Sequence, residues 1–329
     1  MTTGATNETD AGTTAAFPDP SLPQVEMHVH RPNEPAEAVV VRTEICTNRK
    51  AAGFVRHIEL DVSKTGLAGR FRAGQSFGVI PPGEDARGRP HSLRLYSIAS
   101  PTAGEDGAGA VLATTVKRSI DEHWDDHSLF LGVASNHLCD LKPGDTVKVT
   151  GPNGKRFLLP QDRHDWSYLF FATGTGIAPF RGMLMDLFEA DTQPPANATL
   201  VMGAPYRTDL LYDDALAEMD RRHGSMHYLT AISRETDPSA GRSLYVQDRL
   251  DTHPELIELL SADKALIYVC GIAGMELGIF RALARRLPAD ILPRFLSIDP
   301  EVASDPESWT RRMIHKQIKP TRRVFLEVY

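Results

Sequence analysis

The sequence predicts an antiparallel β-barrel domain followed by an α/β domain with a parallel sheet. The chain has 329 residues, more than one small core usually organises, so two domains are expected. In the first half, short β-like runs are separated by Gly, Pro and Asp turns, which is typical of a barrel. From about residue 165 onward, apolar runs alternate with stretches of helical period, which indicates parallel strands covered by helices on both faces.

The barrel is predicted over residues 37–160. Its strands are indicated by runs enriched in apolar and β-branched residues: AVVVRTE, HIELDV, QSFGVI, LRLYSIA, VLATTVK and DTVKVTG. Residues 1–36 precede it and are rich in Thr, Ala, Pro, Asp and Glu, with neither a strand nor a helix period. We therefore expect a mobile, disordered tail over those residues.

The α/β domain is predicted over residues 161–329. Its strands are indicated by the runs SYLFFA, TLVMGA, HYLTAI, ALIYVC and VFLEVY. Helices are expected over residues 178–189, 212–222, 243–260 and 275–287. The proline-containing, acidic segment 288–308 is interpreted as an insertion before a last helix at about residues 309–319.

Composition excludes several classes of protein. Apolar residues make up 41% and charged residues 24%, as in ordinary folded chains, and the net charge of −7 argues against a nucleic-acid binder. The cysteines Cys46, Cys139 and Cys270 are too far apart for a disulfide framework, a zinc site or an iron–sulfur cluster. Neither a secretory signal nor a run long enough to cross a bilayer is present, so a cytoplasmic location without integral membrane association is expected.

The strand that contains Arg94, Leu95, Tyr96 and Ser97 carries the first chemical motif. Side chains two residues apart share a face of a strand, so Arg94 and Tyr96 project together. A guanidinium suits a pyrophosphate, a phenol ring stacks on an isoalloxazine, and the Ser97 hydroxyl lies beside it for the reactive nitrogen. These residues suit a dinucleotide flavin, although an ordinary strand is the better explanation of the motif when it is taken alone.

Two further motifs suit phosphate groups. Residues 132–136, GVASN, are small enough for backbone N–H groups to approach phosphate oxygens, although an ordinary turn is the alternative. Residues 174–179, GTGIAP, follow an apolar strand and open a helix, with proline in the first turn. This strand–turn–helix context predicts a phosphate-binding turn.

Residues near the ends of two later strands indicate the second nucleotide. Cys270 ends an apolar strand, where open α/β sheets bind ligands, so its thiol is expected to face the cofactor. Ser233 and Arg234 follow another strand, and Arg242, Tyr245 and Gln247 come shortly after them. Together these suit a ribose phosphate and a stacked adenine, and the absence of an acidic residue at that strand end favours NADP over NAD. A solvated arginine cluster is the alternative.

Taken in order, RLYSIAS, TVKR, GVASN-x-LCDLKPGD, VTGPNGK, GTGIAPFRG, LLY, ISRE, LYVQ, VCGIAGME and the terminal EVY resemble the plant-type ferredoxin–NADP reductase family over residues 42–329, apart from the insertion. The resemblance implies an FAD-binding barrel followed by an NADP(H)-binding domain. The residues it places around FAD are Arg94, Leu95, Tyr96, Ser97, Thr115, Val116, Lys117, Val133, Ala134, Ser135, Thr175 and Tyr329. Those it places around NADP(H) are Ala204, Pro205, Ser233, Arg234, Tyr245, Gln247, Gly271 and Ile272, and the neighbouring Arg242 and Ser243 are further candidates for this site. The group around the reacting rings is Ser97, Cys270, Glu327 and Tyr329; no metal ligand is implied.

This chain departs from the family pattern at three places. Ala134 stands where a cysteine is common, which a backbone contact tolerates. The tyrosine that stacks on adenine after KR is missing, and Trp124 is a candidate replacement. Ser243, with Arg242 beside it, stands where a lysine is frequent.

The resemblance implies a reductase that passes electrons between NADP(H) and a one-electron carrier. Tyr329 is expected to stack on the flavin at rest, Ser97 and Cys270 to orient the reacting atoms, and Glu327 to relay protons. The expected partner is an acidic ferredoxin or flavodoxin, because positive charge is concentrated near the end of the chain, although a solvated helix face is the alternative. The basic residues are Arg311, Arg312, Lys316, Lys319, Arg322 and Arg323. The other functions left open are the reductase component of an oxygenase of the benzoyl-CoA epoxidase type and a non-catalytic NADPH-binding redox sensor.

Overall fold

The computed structural model describes residues 18–190, 193 and 197–329. The first part of the chain forms the elements β1 (Ala36–Ile45), β2 (Val55–Asp61), β3 (Ser76–Ile80), β4 (Arg94–Ser97), β5 (Val111–Lys117), β6 (Ile120–Glu122), β7 (Leu129–Leu131), α1 (Val133–Asp140) and β8 (Thr146–Asn153). Six of the strands pair in the order β4-β3-β8-β1-β2-β5, and every pairing is antiparallel. A bridge between Ile98 and Thr114 joins the two ends of this order, so the sheet closes as a barrel.

The second part of the chain forms a parallel sheet with helices on both faces. Its elements are β9 (Ser167–Thr173), α2 (Ile177–Phe188), β10 (Asn197–Ala204), α3 (Asp213–Arg222), β11 (Met226–Ile232), α4 (Arg249–Thr252), α5 (Glu255–Ser261), β12 (Ala265–Gly271), α6 (Met275–Arg286), β13 (Leu296–Ile298), β14 (Ile318–Pro320) and β15 (Val324–Val328). The sheet order is β11-β10-β9-β12-β15. The fold class predicted from the sequence is confirmed.

The side chains of β9 show why continuous apolar runs become buried parallel strands. Tyr168 and Phe170 pack in the core on one face of the sheet, whereas Leu169 and Phe171 pack in the core on the other face. Because successive side chains of a strand point to opposite faces, a strand between two layers of helices needs apolar residues at every position.

The predicted helix over residues 243–260 is divided in the structure. A short 3-10 turn at Val246–Asp248 leads into α4, and α5 begins after Pro254. Proline has no backbone N–H and its ring clashes with the preceding turn, so the helix ends before it and restarts after it.

The prediction of a helix at about residues 309–319 is wrong. The structure has a 3-10 turn at Arg311–Met313 and then β14, which pairs antiparallel with β13. Trp309 is fully buried, and its indole N–H donates to the Val302 carbonyl. The apolar residues whose spacing suggests a helix therefore pack over one face of the parallel sheet. The pairing of β13 with β14 overrides the local helical period.

Residues 18–35, which the sequence places in a disordered tail, make specific backbone contacts. His28 and His30 donate their N–H groups to the carbonyls of Pro152 and Gly151, and the Gln75 amide donates to the Glu26 carbonyl. An aperiodic segment can thus satisfy its polar backbone groups on a neighbouring surface. Residues 1–17 of the predicted tail lie outside the described residues, and the domain boundaries at residues 36/37 and 160/161 stay predictions.

None of the helices within the described ranges combines the length and the apolar character needed to cross a bilayer.

Candidate active site

The strand β4 presents the predicted flavin-binding side chains on the barrel. Arg94 is exposed, its guanidinium donates to the Leu93 carbonyl at 3.1 Å, and Leu95 is 58% exposed. Tyr96 is half-buried with its ring 6.5 Å from that of Phe77, and burial raises the pKa of its phenol to about 12. The tyrosine hydroxyl is therefore a neutral hydrogen-bonding group at physiological pH, beside an apolar surface and a cation.

The side chains predicted on β5 do not all reach this surface. Val116 packs in the barrel core, and the buried Thr115 hydroxyl lies 2.6 Å from the Tyr212 hydroxyl of the α/β part. Lys117 at the end of the strand is exposed. Thr115 and Val116 can therefore offer a flavin only their backbone groups. The sequence alone did not distinguish such backbone contacts from side-chain contacts.

The segment GVASN, expected to form a turn, instead begins a helix. Gly132 is the N-cap of α1 and no side chain caps the helix, so the first-turn N–H groups of Val133, Ala134 and Ser135 lack side-chain acceptors. A Cβ on Gly132 would lie 2.8 Å from the Ser119 Cβ, so glycine is required there. Uncapped N–H groups at a positive helix end suit the oxygens of a pyrophosphate.

The turn after β9 follows the predicted strand–turn–helix arrangement. Gly174–Gly176 forms a 3-10 turn that leads directly into α2. A Cβ on Gly176 would lie 2.2 Å from the Cys270 carbonyl oxygen. The absence of a side chain at Gly176 therefore lets the carboxyl ends of β9 and β12 meet at one edge of the sheet, where open α/β sheets bind nucleotides.

The chain ends at this same edge. The Tyr329 hydroxyl lies 2.6 Å from the Thr175 hydroxyl. The Tyr329 N–H donates to the Gly271 carbonyl, and the Ala273 N–H donates to the Tyr329 carbonyl, at 3.0 and 2.9 Å. The aromatic side chain is nonetheless 63% exposed. The terminal residue is thus fixed at its backbone and its hydroxyl, while its ring surface is available to a flat ligand.

Cys270 and Glu327 are partners in the register of β12 and β15. Burial raises the pKa of the Glu327 carboxyl to about 7, so this acid can hold or release a proton near neutral pH. Cys270 is only 1% exposed and packs in the core, and burial raises the pKa of its thiol well above the ordinary value. The expected contact of the thiol with a cofactor stays a prediction; the structure places the thiol beneath the surface and keeps it protonated.

The structure brings together Thr175, Cys270, Glu327 and Tyr329, but Ser97 belongs to the barrel. Ser97 ends β4, is half-buried, and its carbonyl accepts a hydrogen bond from the Thr114 hydroxyl at 2.9 Å. Because β5 also contacts the Gly174–Gly176 turn, the strand ends of the barrel and the nucleotide edge of the α/β sheet face each other.

The predicted NADP(H) residues follow β10 and β11. The N–H groups of Ser233 and Arg234 donate to the carbonyls of Ala204 and Pro205, each at 3.0 Å. These hydrogen bonds hold the loop after β11 against the loop after β10. The exposed Arg234 guanidinium lies over the Tyr206 ring, 5.8 Å from its centroid. This stacking orients a cation at the sheet edge without neutralising it.

The second group of predicted NADP(H) residues lies in the next loop. The Arg242 guanidinium donates to Asp248 and to the Ser243 carbonyl, both at 3.1 Å, and the Tyr245 N–H donates to the same Asp248 carboxylate. The Tyr245 ring is 59% exposed. Gln247 packs against α6, where a Cβ on Gly278 would lie 3.0 Å from its amide group. An oriented arginine and an exposed ring therefore share this loop.

Thr173 is a residue of this edge that was not predicted from the sequence. Its hydroxyl accepts a hydrogen bond from the Ile272 N–H at 2.9 Å, and a Cβ on Gly271 would lie 2.1 Å from it. Gly271 and the exposed Ile272 are thereby held beside the Tyr329 backbone. The only sequence signal for Thr173 is its position as the last residue of an apolar strand before GTG.

The basic residues near the end of the chain have three different surroundings. Arg323 is buried and donates to the carbonyls of Asp263 and Pro18, so it cannot contact a partner protein as expected. Arg311 pairs with the buried Glu276 at 2.8 Å and Arg322 pairs with Asp19 at 3.2 Å. Both of these paired arginines are exposed, as are the remaining three basic residues: Arg312, Lys316 and Lys319.

Comparisons with known proteins agree with this geometry. The family model described as an oxidoreductase NAD-binding domain matches residues 170–279. A ferredoxin–NADP reductase of Thermosynechococcus vestitus is 38% identical over 284 residues, spanning 85% of this chain and 73% of the relative. The root-type chloroplastic ferredoxin–NADP reductase of Nicotiana tabacum is 35% identical over 311 residues, spanning 92% and 78%.

Among solved structures, a ferredoxin–NADP⁺ reductase from Plasmodium falciparum matches with a TM-score of 0.68 at 22% identity, covering 92% of this chain and 99% of that chain. This likeness supports the barrel and the parallel sheet in their observed order. Since relatives at 35–38% identity align with most of the sequence, the chain belongs to the ferredoxin–NADP reductase family.

Proposed function

We propose that this protein is an FAD-dependent reductase that transfers electrons between NADP(H) and a one-electron protein carrier, ferredoxin or flavodoxin. The observation that carries the proposal is the position of Tyr329, whose hydroxyl contacts Thr175 at the edge where barrel and sheet face each other. The relatives named above are ferredoxin–NADP reductases, which favours ferredoxin as the carrier. Nothing in the part of the chain that the structure describes favours an oxygenase component or a redox sensor.

The donor groups on the barrel fit an FAD molecule. Arg94 offers a guanidinium for the pyrophosphate, and the uncapped first turn of α1 offers N–H groups for the same oxygens. Leu95 and Tyr96 supply apolar and aromatic surface for the ring system. When bound, FAD exchanges a hydride with the nicotinamide and single electrons with the carrier.

The residues at the nucleotide edge then have separate tasks. Tyr329 covers the reacting surface at rest and leaves it when the nicotinamide binds, because its side chain is attached there by one hydrogen bond to Thr175. Glu327 holds or releases a proton near neutral pH. The protonated Cys270 thiol and Ser97 form part of the surface against which the reacting rings are aligned.

A preference for NADP(H) over NAD(H) is supported by the loops after β10 and β11. Arg234 is exposed and stacked on Tyr206, and Arg242 is oriented by Asp248. Both guanidinium groups suit the 2′-phosphate, and Ser233 adds a hydroxyl. Tyr245 supplies an exposed ring for the adenine.

The test uses the purified full-length chain. We expect a yellow protein with bound FAD that reduces ferricyanide with NADPH and reduces an acidic ferredoxin. Arg234→Ala should raise the KM for NADPH by about 10- to 100-fold, because a charged hydrogen bond to phosphate contributes about 1.5–3 kcal/mol, and should leave the KM for NADH unchanged. Arg221→Ala, on the exposed surface of α3, is the matched control. A protein that binds NADPH without turnover would contradict the proposal and favour a redox sensor.

A further inference from the structure

Helix α2 packs unusually closely against the barrel. A Cβ on Gly182 would lie 2.2 Å from the Ser100 carbonyl oxygen and 3.2 Å from the Ala73 Cβ. Only glycine permits this approach, so the backbone of α2 lies directly on the segment that follows β4. The helix that begins at the nucleotide-binding turn thereby contacts the segment that directly follows the strand carrying Tyr96 and Ser97.

Polar contacts hold this junction on each side of Gly182. Arg181 donates to the Ala99 carbonyl at 2.9 Å and forms a two-pronged pair with the Glu105 carboxylate at 2.5 and 3.0 Å. One helical turn later, Asp186 accepts hydrogen bonds from the Thr102 N–H and hydroxyl at 2.8 and 2.6 Å. The barrel partners all lie in residues 99–105, immediately after the predicted flavin-binding strand.

Arg181 also contacts a second connection between the two parts of the chain. Its guanidinium lies over the Tyr212 ring, 5.3 Å from the centroid. The Tyr212 hydroxyl lies 2.6 Å from the Thr115 hydroxyl and 2.9 Å from the His57 imidazole. Arg181 and Tyr212 of the α/β part thus contact three segments of the barrel through one network. Because the groups of this network are hydrogen-bonded to one another and partly buried, the network makes the junction rigid.

A metal ion is the other use that these residues suggest. The ligand atoms of His57, Glu59 and Glu105 lie within 4.8 Å of one another. However, Glu105 is already paired with Arg181, and Glu59 is paired with Arg42 at 3.1 Å. The charges compensate without an ion, and a divalent cation would add buried positive charge beside two arginines.

We propose that Arg181 is a positioning residue that sets the distance between the nicotinamide and the flavin by joining α2 to Ala99 and Glu105. This inference rests on the proposed function. Arg181 lies five residues after Gly176, and Ala99 lies two residues after Ser97, so the contact connects the two motifs on either side of the reacting rings. Hydride transfer requires reacting atoms about 3–3.5 Å apart, and a misplacement of about 1 Å can cost about 100-fold in rate.

The substitution Arg181→Lys tests the proposal, because lysine keeps the charge but loses the planar fork that binds Ala99 and Glu105 together. We expect FAD content and the Kd for NADP⁺ to stay within about 2-fold, while the rate constant for hydride transfer in stopped flow falls about 10- to 100-fold. Amide hydrogen exchange of residues 99–105 and of the first turns of α2 should accelerate in the apoprotein as well, where no cofactor contributes.

The matched control is Arg222→Lys, which changes an exposed arginine paired with Glu189 at 2.9 Å. It should alter neither hydride transfer nor exchange. Glu105→Gln serves as a second variant if Arg181→Lys folds poorly, because it weakens the same contact from the barrel side; it should reproduce the loss of rate with unchanged nicotinamide affinity.

The outcomes separate the two proposals. A wild-type chain that neither retains FAD nor oxidises NADPH overturns the proposed function. A wild-type chain that does both, with hydride transfer unchanged in Arg181→Lys or in Glu105→Gln, overturns the positioning role. Faster hydrogen exchange with an unchanged hydride rate also overturns it, because Arg181 then stabilises the junction without aligning the rings.

Discussion

The terminal residue Tyr329 is held more firmly at its backbone than at its ring. Its backbone continues β15 beside Gly271, whereas its side chain makes one hydrogen bond, to Thr175, and is 63% exposed. Tyr329→Ser should therefore lower the Kd for NADP⁺ about 10-fold, because the nicotinamide no longer displaces a ring worth about 1 kcal/mol or more of stacking. Titration followed by difference absorbance measures this.

Tyr329→Phe is the control for the ring, since it keeps the aromatic surface and removes only the hydrogen bond to Thr175. Its Kd for NADP⁺ should remain close to that of the wild type. An unchanged Kd in Tyr329→Ser would exclude a covering role for the ring.

Glu327 makes stability depend on pH in the neutral range. Burial raises the pKa of its carboxyl to about 7, above that of an exposed carboxyl. Between about pH 4 and about pH 7 the folded state then binds more protons than the unfolded state, so the free energy of unfolding falls as pH rises through this window. Urea unfolding of the holoprotein at several pH values should show this fall in the wild type and a smaller one in Glu327→Gln.

Equal pH slopes in the two proteins would show that Glu327 titrates as an exposed carboxyl and would remove the basis for its proton-handling role. The comparison is informative because Gln replaces the carboxyl with a neutral group of the same shape.

Residues inside local motifs were predictable, whereas their mutual contacts were not. Gly176 was predictable because a phosphate-binding turn after a strand needs glycine there. Thr173 and the Thr175–Tyr329 contact depend on the order of β9, β12 and β15 in the sheet. No local pattern encodes that order, so the contact between Thr175 and Tyr329 could not be predicted from the sequence.

Among the elements, long buried strands were predicted best. β9 and β12 are continuously apolar because both faces are covered, and this pattern has few alternatives. α1 was missed because it has eight residues and no side-chain N-cap, which leaves little helical signal. β13 and β14 have three residues each and exist because they pair with one another.

The cover formed by β13, β14 and the residues between them depends on Trp309. The indole ring is fully buried in the core and its N–H donates to the Val302 carbonyl at 2.8 Å. Trp309→Phe should lower the free energy of unfolding by about 1–3 kcal/mol, because it removes a buried hydrogen bond and leaves a cavity. Chemical denaturation with FAD fluorescence and circular dichroism measures the change, and the KM for NADPH should stay the same.

If Trp309→Phe were as stable as the wild type, the cover would be peripheral rather than part of the core. The matched control is Trp124→Phe, which removes the same atoms from a 96% exposed residue. Because Trp124 is also the candidate for stacking on the FAD adenine, both variants are compared as apoproteins by circular dichroism, where Trp124→Phe should change stability very little.

At the scale of the whole molecule, the two parts are joined by pairs far apart in sequence. Arg181 and Glu105 are 76 positions apart, and Tyr212 and Thr115 are 97 apart. The sequence predicted both parts and their order, because each has its own hydrophobic period. It could not predict how one part packs on the other, because that depends on residues such as Gly182, whose lack of a side chain matters only at the contact.

The charge distribution of the whole molecule sets the expectation for the carrier. The chain has a net charge of −7, yet Arg312, Lys316 and Lys319 are exposed near the end of the chain. An acidic carrier is repelled by the total charge and attracted by this local group, so orientation matters more than net attraction. The rate of ferredoxin reduction should fall as salt increases from about 0.05 M to about 0.5 M, where exposed charges are screened.

Lys316→Glu tests whether this group docks the carrier. It should lower the rate of ferredoxin reduction several-fold at low salt and much less at high salt, because screening removes the repulsion it introduces, while NADPH–ferricyanide activity is unchanged. Lys64→Glu is the control, because it makes the same change of charge at an exposed barrel loop. An equal effect of both variants would mean that net charge alone governs the rate, and a rate independent of salt would exclude docking through these cations.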